Sequence, residues 1–149
     1  MKTNAILINL ILLVSLSCDE EEKIVNSNKL TVTYGHVCGW CAGLDSITIA
    51  KDVTNLFTDY NCGDSIIRKS TATKKDQWSA LKNNFDPNQF QKIDLNSCYV
   101  CADGCDTWIT IISDSYYHKI RYGYNETDKL KSIQSFVDVL DSIRISVYQ

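Results

Sequence analysis

The chain has 149 residues and a formal net charge of −3, and its length predicts one globular domain and no second one. Lysine and arginine never run longer than the pairs Arg68-Lys69 and Lys74-Lys75, so the clustered basic residues typical of nucleic-acid-binding proteins are missing. The composition therefore predicts a domain with no nucleic-acid partner.

The N-terminus has the composition of an export signal. Lys2 precedes a mostly apolar stretch from Ala5 to Ser17, which is shorter than the roughly 20 residues that a membrane-spanning helix needs. An acidic run, Asp19 to Glu22, follows almost immediately. We therefore predict a signal peptide over residues 1–17 that is removed from the mature protein.

The end of this signal, Val-Ser-Leu-Ser-Cys at residues 14–18, resembles the lipobox of bacterial lipoproteins, with Ser15 where leucine is commonest. The resemblance implies that Cys18 carries a covalent lipid, whose two or three acyl chains hold the protein to a membrane. The acidic run after Cys18 resembles the surface-export signal of Bacteroidota lipoproteins. It implies an outer-membrane lipoprotein at the cell surface, while a periplasm-facing lipoprotein and a soluble secreted protein stay open.

Residues 18–28 are polar and lack aromatic side chains, so we predict a flexible acidic tether ahead of a single domain over residues 29–149. Alternating apolar residues predict two strands near residues 30–34 and 44–50, joined through a glycine-containing turn into a hairpin. Residues 51–61 fit either a helical turn or a loop packed on the core. Residues 65–73 are typical of a further strand.

The second half of the chain contains both predicted helices. Asp76 is a suitable N-cap for a first helix, which Asp86-Pro87 ends. Residues 107–113 and 118–124 predict a second hairpin, and apolar residues recurring from Leu130 to Ile143 predict a C-terminal helix. These elements predict an α+β domain, with an antiparallel sheet of two hairpins plus one further strand packed on the C-terminal helix.

Six cysteines remain after the lipidation candidate, and an even number in an exported domain predicts structural disulfides. They are Cys38, Cys41, Cys62, Cys98, Cys101 and Cys105. Six cysteines can pair in many ways, and the sequence does not choose among them. Our hypothesis is that Cys62 bonds to Cys38 or Cys41 and that the group from Cys98 to Cys105 contains at least one local bridge.

Two alternatives assign these cysteines a chemical function, either thiol-redox activity or zinc binding. Cys38-Gly-Trp-Cys41 resembles the C-x-x-C centre of thioredoxin-like oxidoreductases, although Trp40 holds the usual proline position and a strand-like run follows. The pairs Cys38/Cys41 and Cys98/Cys101 also have the spacing of a four-thiolate zinc site, for which His36 or His118 are substitute ligands. Against both stands the oxidising compartment, and the plainer interpretation of the histidines is that they are ordinary strand residues.

The sequence contains no hydrolytic triad, paired acids, phosphate-binding loop or H-E-x-x-H motif, so we predict neither an enzyme nor a cofactor besides the lipid. The aromatic residues that could form a binding face on the sheet are Trp40, Trp78, Trp108, Tyr116, Tyr117, Tyr122 and Tyr124. Of these, Trp78, Trp108 and Tyr122 are predicted core or edge residues, whereas Tyr116 and Tyr117, in the predicted turn, are the candidates for exposure. The prediction is thus a non-catalytic, lipid-anchored binding module for a protein or a small ligand. The alternatives are an envelope thiol-redox or zinc protein and an inhibitor of a partner enzyme.

Overall fold

The strands form one antiparallel sheet in the computed structural model, which describes residues 19–60, 63 and 65–149. In chain order they are β1 (Thr31–Cys38), β2 (Gly43–Ile49), β3 (Val53–Tyr60), β4 (Ser65–Ala72), β5 (Cys105–Ile112) and β6 (Tyr117–Gly123). Across the sheet their order is β4-β3-β2-β1-β5-β6, and every neighbouring pair is antiparallel. The predicted signal peptide, Cys18 and Cys62 lie outside the described residues.

One face of the sheet is apolar because residues two apart in a strand point to the same side. The central strands bury Val32, Tyr34, Ile47, Ile49, Ile109 and Ile111 on this face. Thr33, Thr48 and Thr110 alternate with them and are half-buried on the opposite side, which we call the open face. The predicted core residues Trp78 and Tyr122 are buried, whereas Trp108 lies half-exposed on the open face.

Three helices pack on the apolar face, which confirms the predicted α+β class and its C-terminal helix. They are α2 (Lys75–Asn84), α3 (Pro87–Gln91) and α4 (Gln134–Tyr148). Their buried side chains, among them Leu81, Phe90, Phe136, Leu140 and Ile143, complete the core. The chain enters α4 through a 3₁₀ helix, Tyr124–Ile133, so the α-helix begins later than the apolar pattern indicates.

The sheet has one strand more than the predicted five. Residues 51–61, which fitted a helical turn or a loop, contain β3. Its buried face carries Thr54, Leu56 and Thr58, so threonines occupy two positions where an apolar residue would have revealed the alternation. The Thr54 hydroxyl bonds to that of Thr73 at 2.9 Å, which compensates its burial.

The start of the predicted tether is helical. Helix α1 (Asp19–Asn26) places Ile24 in the hydrophobic core, with Val25 packed against it. Lys29 then pairs with Asp114 in the turn between β5 and β6. In the sequence these two apolar residues follow a longer acidic run, so composition alone predicts a polar tether. Among the helices that the structure describes, none is both long and apolar enough to cross a membrane.

Candidate functional site

Two disulfides between described cysteines lie at the end of the sheet where β1 finishes and β5 begins. Cys38 and Cys105 are cross-strand partners and are bonded to each other, which fastens β1 to β5. Cys98 bonds to Cys101 across the 3₁₀ turn Tyr99–Ala102 just before β5. The second bridge confirms the predicted local disulfide.

Cys41 is also disulfide-bonded, to a partner that is not among the described cysteines. Since Cys38 bonds to Cys105, the pairing of Cys62 with Cys38 is wrong, and the pairing with Cys41 stays a prediction. Cys38 and Cys41 therefore do not bond to each other as a C-x-x-C pair does. The described residues also contain no group of three metal-binding side chains.

The turn between β1 and β2 has an unusual backbone. Trp40 and Cys41 have φ values of 52° and 59°, in the left-handed region that side chains other than glycine seldom adopt. Such residues cost of order 1–3 kcal/mol each and persist only where the surrounding structure fixes them. Here the Cys38 bridge and a hydrogen bond from the Gly39 N–H to the Gly104 carbonyl, at 2.9 Å, hold the turn against β5.

Gly39 makes a close approach that no larger residue would allow. A Cβ at this position would lie 2.8 Å from Cα of Asp103, in the segment that leads into β5. The two disulfide-containing segments therefore pack directly against each other. This contact adds a third restraint on the position of Trp40.

Four aromatic residues are exposed at this end of the sheet. They are Trp40 (84% exposed), Tyr60 (41%), Tyr99 (38%) and Tyr124 (88%), which together we call the aromatic end. The strand register places Trp40, Tyr60 and Tyr124 there, because Cys38 pairs with both Gly43 and Cys105, while β3 and β6 finish at the same side. Tyr99 joins them because its ring lies against Gly123 at the end of β6. Strands lie 4.7–4.9 Å apart, so the row from β3 to β6 spans roughly 19 Å.

A buried carboxylate positions Tyr99. Asp106, which is 1% exposed, accepts the backbone N–H groups of Tyr99 and Val100 at 2.9 and 3.1 Å. Arg121 on β6 donates to the same carboxylate from Nε and Nη2, at 3.0 and 2.6 Å. The buried charge is thus fully paired, and it fixes the 3₁₀ turn to β5 and β6.

A cavity of about 170 Å³ opens beside Trp40. Its walls include Val37, Leu44 and Asp59, which are cross-strand neighbours on β1, β2 and β3 and so share the open face. Among the described residues of the lining Asp59 is the one charged residue, and its Oδ1 accepts the Gly63 N–H at 2.7 Å. The cavity is therefore mainly apolar with a carboxylate in one wall.

The two tyrosines predicted to be exposed lie at the other end of the sheet. Tyr117 is 67% exposed, as expected. Tyr116 is instead half-buried against the core, edge-to-face with Phe85 at 6.4 Å, and burial raises the pKa of its hydroxyl to about 12. The exposure prediction for Tyr116 was wrong because its ring closes the core beneath the turn. Neither residue belongs to the aromatic end.

A polar cluster lies between the apolar face of the sheet and α4. The Tyr34 hydroxyl donates to Asp141 Oδ1 at 2.8 Å, and Arg144 donates to both carboxylate oxygens of Asp45 at 2.9 and 2.6 Å. Burial, with the nearby Asp141 charge, raises the pKa of Tyr34 far above its ordinary range. Each carboxylate of the cluster already accepts a hydrogen bond from a side chain across the interface. These bonds join α4 to the sheet, so we assign the cluster a structural role.

The two histidines are ordinary strand residues, as predicted. His36 on β1 shares a 2.8 Å hydrogen bond with the Thr107 hydroxyl through Nδ1, while its buried Nε2 has no partner among the described residues. Burial, and then the charge of Arg144, lower the pKa of His36. His118 on β6 contacts the Ile93 carbonyl oxygen through Nε2 at 2.9 Å. The two residues thus take part in packing at separate places.

The sequence places Trp40 and Tyr124 among the aromatic residues of a possible binding face, but it singles out only Tyr116 and Tyr117 for exposure. Trp40 and Tyr124 are the most exposed aromatic residues near the disulfides. The only available signal was a tryptophan within a glycine-flanked turn. No protein-family model matches the chain, and no curated protein matches it. Functional assignment accordingly depends on the geometry of the aromatic end.

Proposed function

We propose that the protein is a lipid-anchored, non-catalytic binding module of a bacterial envelope, which binds a macromolecular partner through its aromatic end. The observation that carries this proposal is Trp40, which is 84% exposed on a left-handed backbone beside a disulfide. An apolar side chain gains nothing for folding by standing in water. A tryptophan held rigid before binding loses little entropy when a partner covers it.

The position of the N-terminal segment supports this role. Helix α1 follows directly after the proposed lipid-bearing Cys18, and Lys29 and Ser27 contact Asp114 at the end of the sheet where β1 begins. Strands of eight residues are roughly 25 Å long, so about this distance separates that end from the aromatic end. A membrane anchor on that side of the domain would leave the aromatic end facing away from the membrane.

The dimensions of the aromatic end suit a protein partner. A row of roughly 19 Å is comparable to one side of an ordinary protein interface, which buries about 800 Å² per partner. Tryptophan and tyrosine are enriched among the residues that dominate binding energy at such interfaces. The three restraints on Trp40 also mean that binding needs little rearrangement.

The disulfide pattern favours this proposal over thiol chemistry. Cys38 bonds to a cysteine 67 positions away and not to Cys41, so the Cys38–Cys41 motif does not supply a local dithiol. The amides at the start of the Cys98–Cys101 turn donate to the Asp106 carboxylate, so they do not point at a sulfur atom that they would activate.

Photo-crosslinking in the producing bacterium tests the binding surface. A benzophenone amino acid replaces Trp40 in one variant and Tyr117, which is exposed at the opposite end, in a matched control. We expect one or a few discrete crosslinked products from position 40 and none of the same products from position 117. Identical products from both positions, or none from position 40, would contradict the proposal.

Fractionation tests the anchor separately. The wild-type protein is expected in the membrane fraction, with an intact mass that includes covalent acyl chains. The Cys18→Ala variant is expected to lose those chains and to leave the membrane fraction, because one domain without its lipid has no other anchor in this proposal. A membrane-bound Cys18→Ala protein of unmodified mass would disprove lipid anchoring at this residue.

A further inference from the structure

The geometry points to the cavity beside Trp40 as the site for one basic side chain, a lysine or an arginine, presented by the partner protein. This inference rests on the proposed function and adds the chemistry of the partner. It follows from the size of the cavity, the composition of its walls and the charges around it.

The size of the cavity selects a single side chain. Sites for drug-sized ligands enclose roughly 300–1,000 Å³, whereas an apolar cavity of about 150 Å³ holds one benzene molecule. At about 170 Å³ the cavity beside Trp40 belongs to the second class. It therefore suits one side chain from a larger partner that also covers the aromatic residues nearby.

The walls match a side chain with an apolar stem and a positive head. Val37 and Leu44 offer apolar surface for methylene groups, and Asp59 offers a carboxylate. Trp40 is also a lining residue, and tryptophan has the aromatic ring that attracts cations most strongly. Lysine and arginine combine both parts, since they bury their stems along apolar surface while the charged group stays near polar partners.

The surrounding charges favour a cation. Asp59 forms no ion pair with any described residue, and the described part of the lining contains no lysine or arginine. A neutral apolar side chain would leave the half-buried Asp59 charge without a countercharge, and an acidic one would be repelled by it.

An NMR titration tests this inference on the exported full-length protein in detergent micelles. The chain contains three tryptophans, so the Trp40 indole N–H signal is assigned by its loss in Trp40→Phe. The probes are the Nα-acetyl amides of arginine, lysine and norleucine, the last being a neutral match for the lysine stem. We expect the arginine and lysine probes to shift the Trp40 signal saturably with roughly millimolar affinity. The norleucine probe should produce no saturable shift.

Two variants that each replace one aspartate by asparagine test whether the Asp59 charge is responsible for binding of the basic probes. Asp59→Asn keeps an oxygen for the Gly63 N–H and should weaken binding of the basic probes about fivefold or more. Asp52→Asn makes the same charge change in the turn at the opposite end of the sheet and should bind like wild type. Equal binding of norleucine, an unmoved Trp40 signal, or equal effects of the two variants would overturn the inference. If one of these results is obtained while crosslinking is still specific to residue 40, the binding-module proposal stands. Only the inference that the partner inserts a basic side chain is then withdrawn.

Discussion

The indole of Trp108 lies across Gly35, its direct cross-strand neighbour on the open face. A Cβ at Gly35 would overlap the indole ring, so β1 carries glycine where the ring crosses it. We predict that Gly35→Ala lowers the free energy of unfolding by about 1–3 kcal/mol, because the ring must leave its place. Urea unfolding measures the loss, with Ser46→Ala, the neighbour of Gly35 on β2, as the control. Equal stabilities of the two variants would contradict this account.

Asp106 anchors the 3₁₀ turn that carries Tyr99. We predict that Asp106→Asn lowers the free energy of unfolding by about 3 kcal/mol, since it leaves the half-buried Arg121 cation without its countercharge. The control is Asp128→Asn, which breaks an exposed pair with Lys131 and should leave the unfolding midpoint unchanged. A wild-type midpoint for Asp106→Asn would show that the buried pair is not needed for stability.

The two described disulfides should contribute unequally to stability. The Cys38–Cys105 bridge closes a chain segment with a sequence separation of 67, whereas Cys98–Cys101 has a separation of 3. The loop-entropy relation gives about 4 kcal/mol for the first and about 2 kcal/mol for the second. Thermal unfolding of the two double Cys→Ala variants tests the order. If removal of the short bridge lowers stability more, local packing and not loop closure determines how much each disulfide stabilises the fold.

His36 should make stability depend on pH. Burial and the charge of Arg144 hold its folded-state pKa below the ordinary value near 6.5, while Asp45 and Asp141 partly oppose this shift. Between the two pKa values the unfolded chain binds more protons, so the free energy of unfolding falls as the pH drops through about 6.5. We expect His36→Asn to reduce this slope between about pH 7 and pH 5. Urea unfolding across that range measures it, and comparison above pH 7.5 separates the packing change from the protonation effect.

The sequence predicts elements well where one periodicity dominates. Leu140 and Ile143 recur with helical spacing and are buried in α4, and Val32 and Tyr34 alternate and are buried in β1. The pattern is harder to recognise in β3, where the threonines Thr54 and Thr58 fill two of the buried positions. Local periodicity reports which face is covered, and it does so reliably only when that face is apolar.

The aromatic end depends on contacts that local patterns do not contain. Trp40 is exposed because a bridge to Cys105 and the approach of Asp103 to Gly39 fix its turn, and these partners lie more than 60 positions along the chain. Tyr116 shows the converse, since a residue in a predicted turn packs on Phe85. Exposure in such segments is decided by tertiary packing, which a single sequence does not display.

The position of β1 has a consequence for how the protein is made. Cys38 and Cys41 leave the ribosome early. Cys105, the partner of Cys38, follows only after β2, β3 and β4. Oxidation in the order of emergence would join Cys38 to Cys41 and trap a non-native bond until a thiolate attacks it. Efficient maturation therefore requires either delayed oxidation or a disulfide isomerase, and a host that oxidises cysteines without proofreading should accumulate misbridged protein.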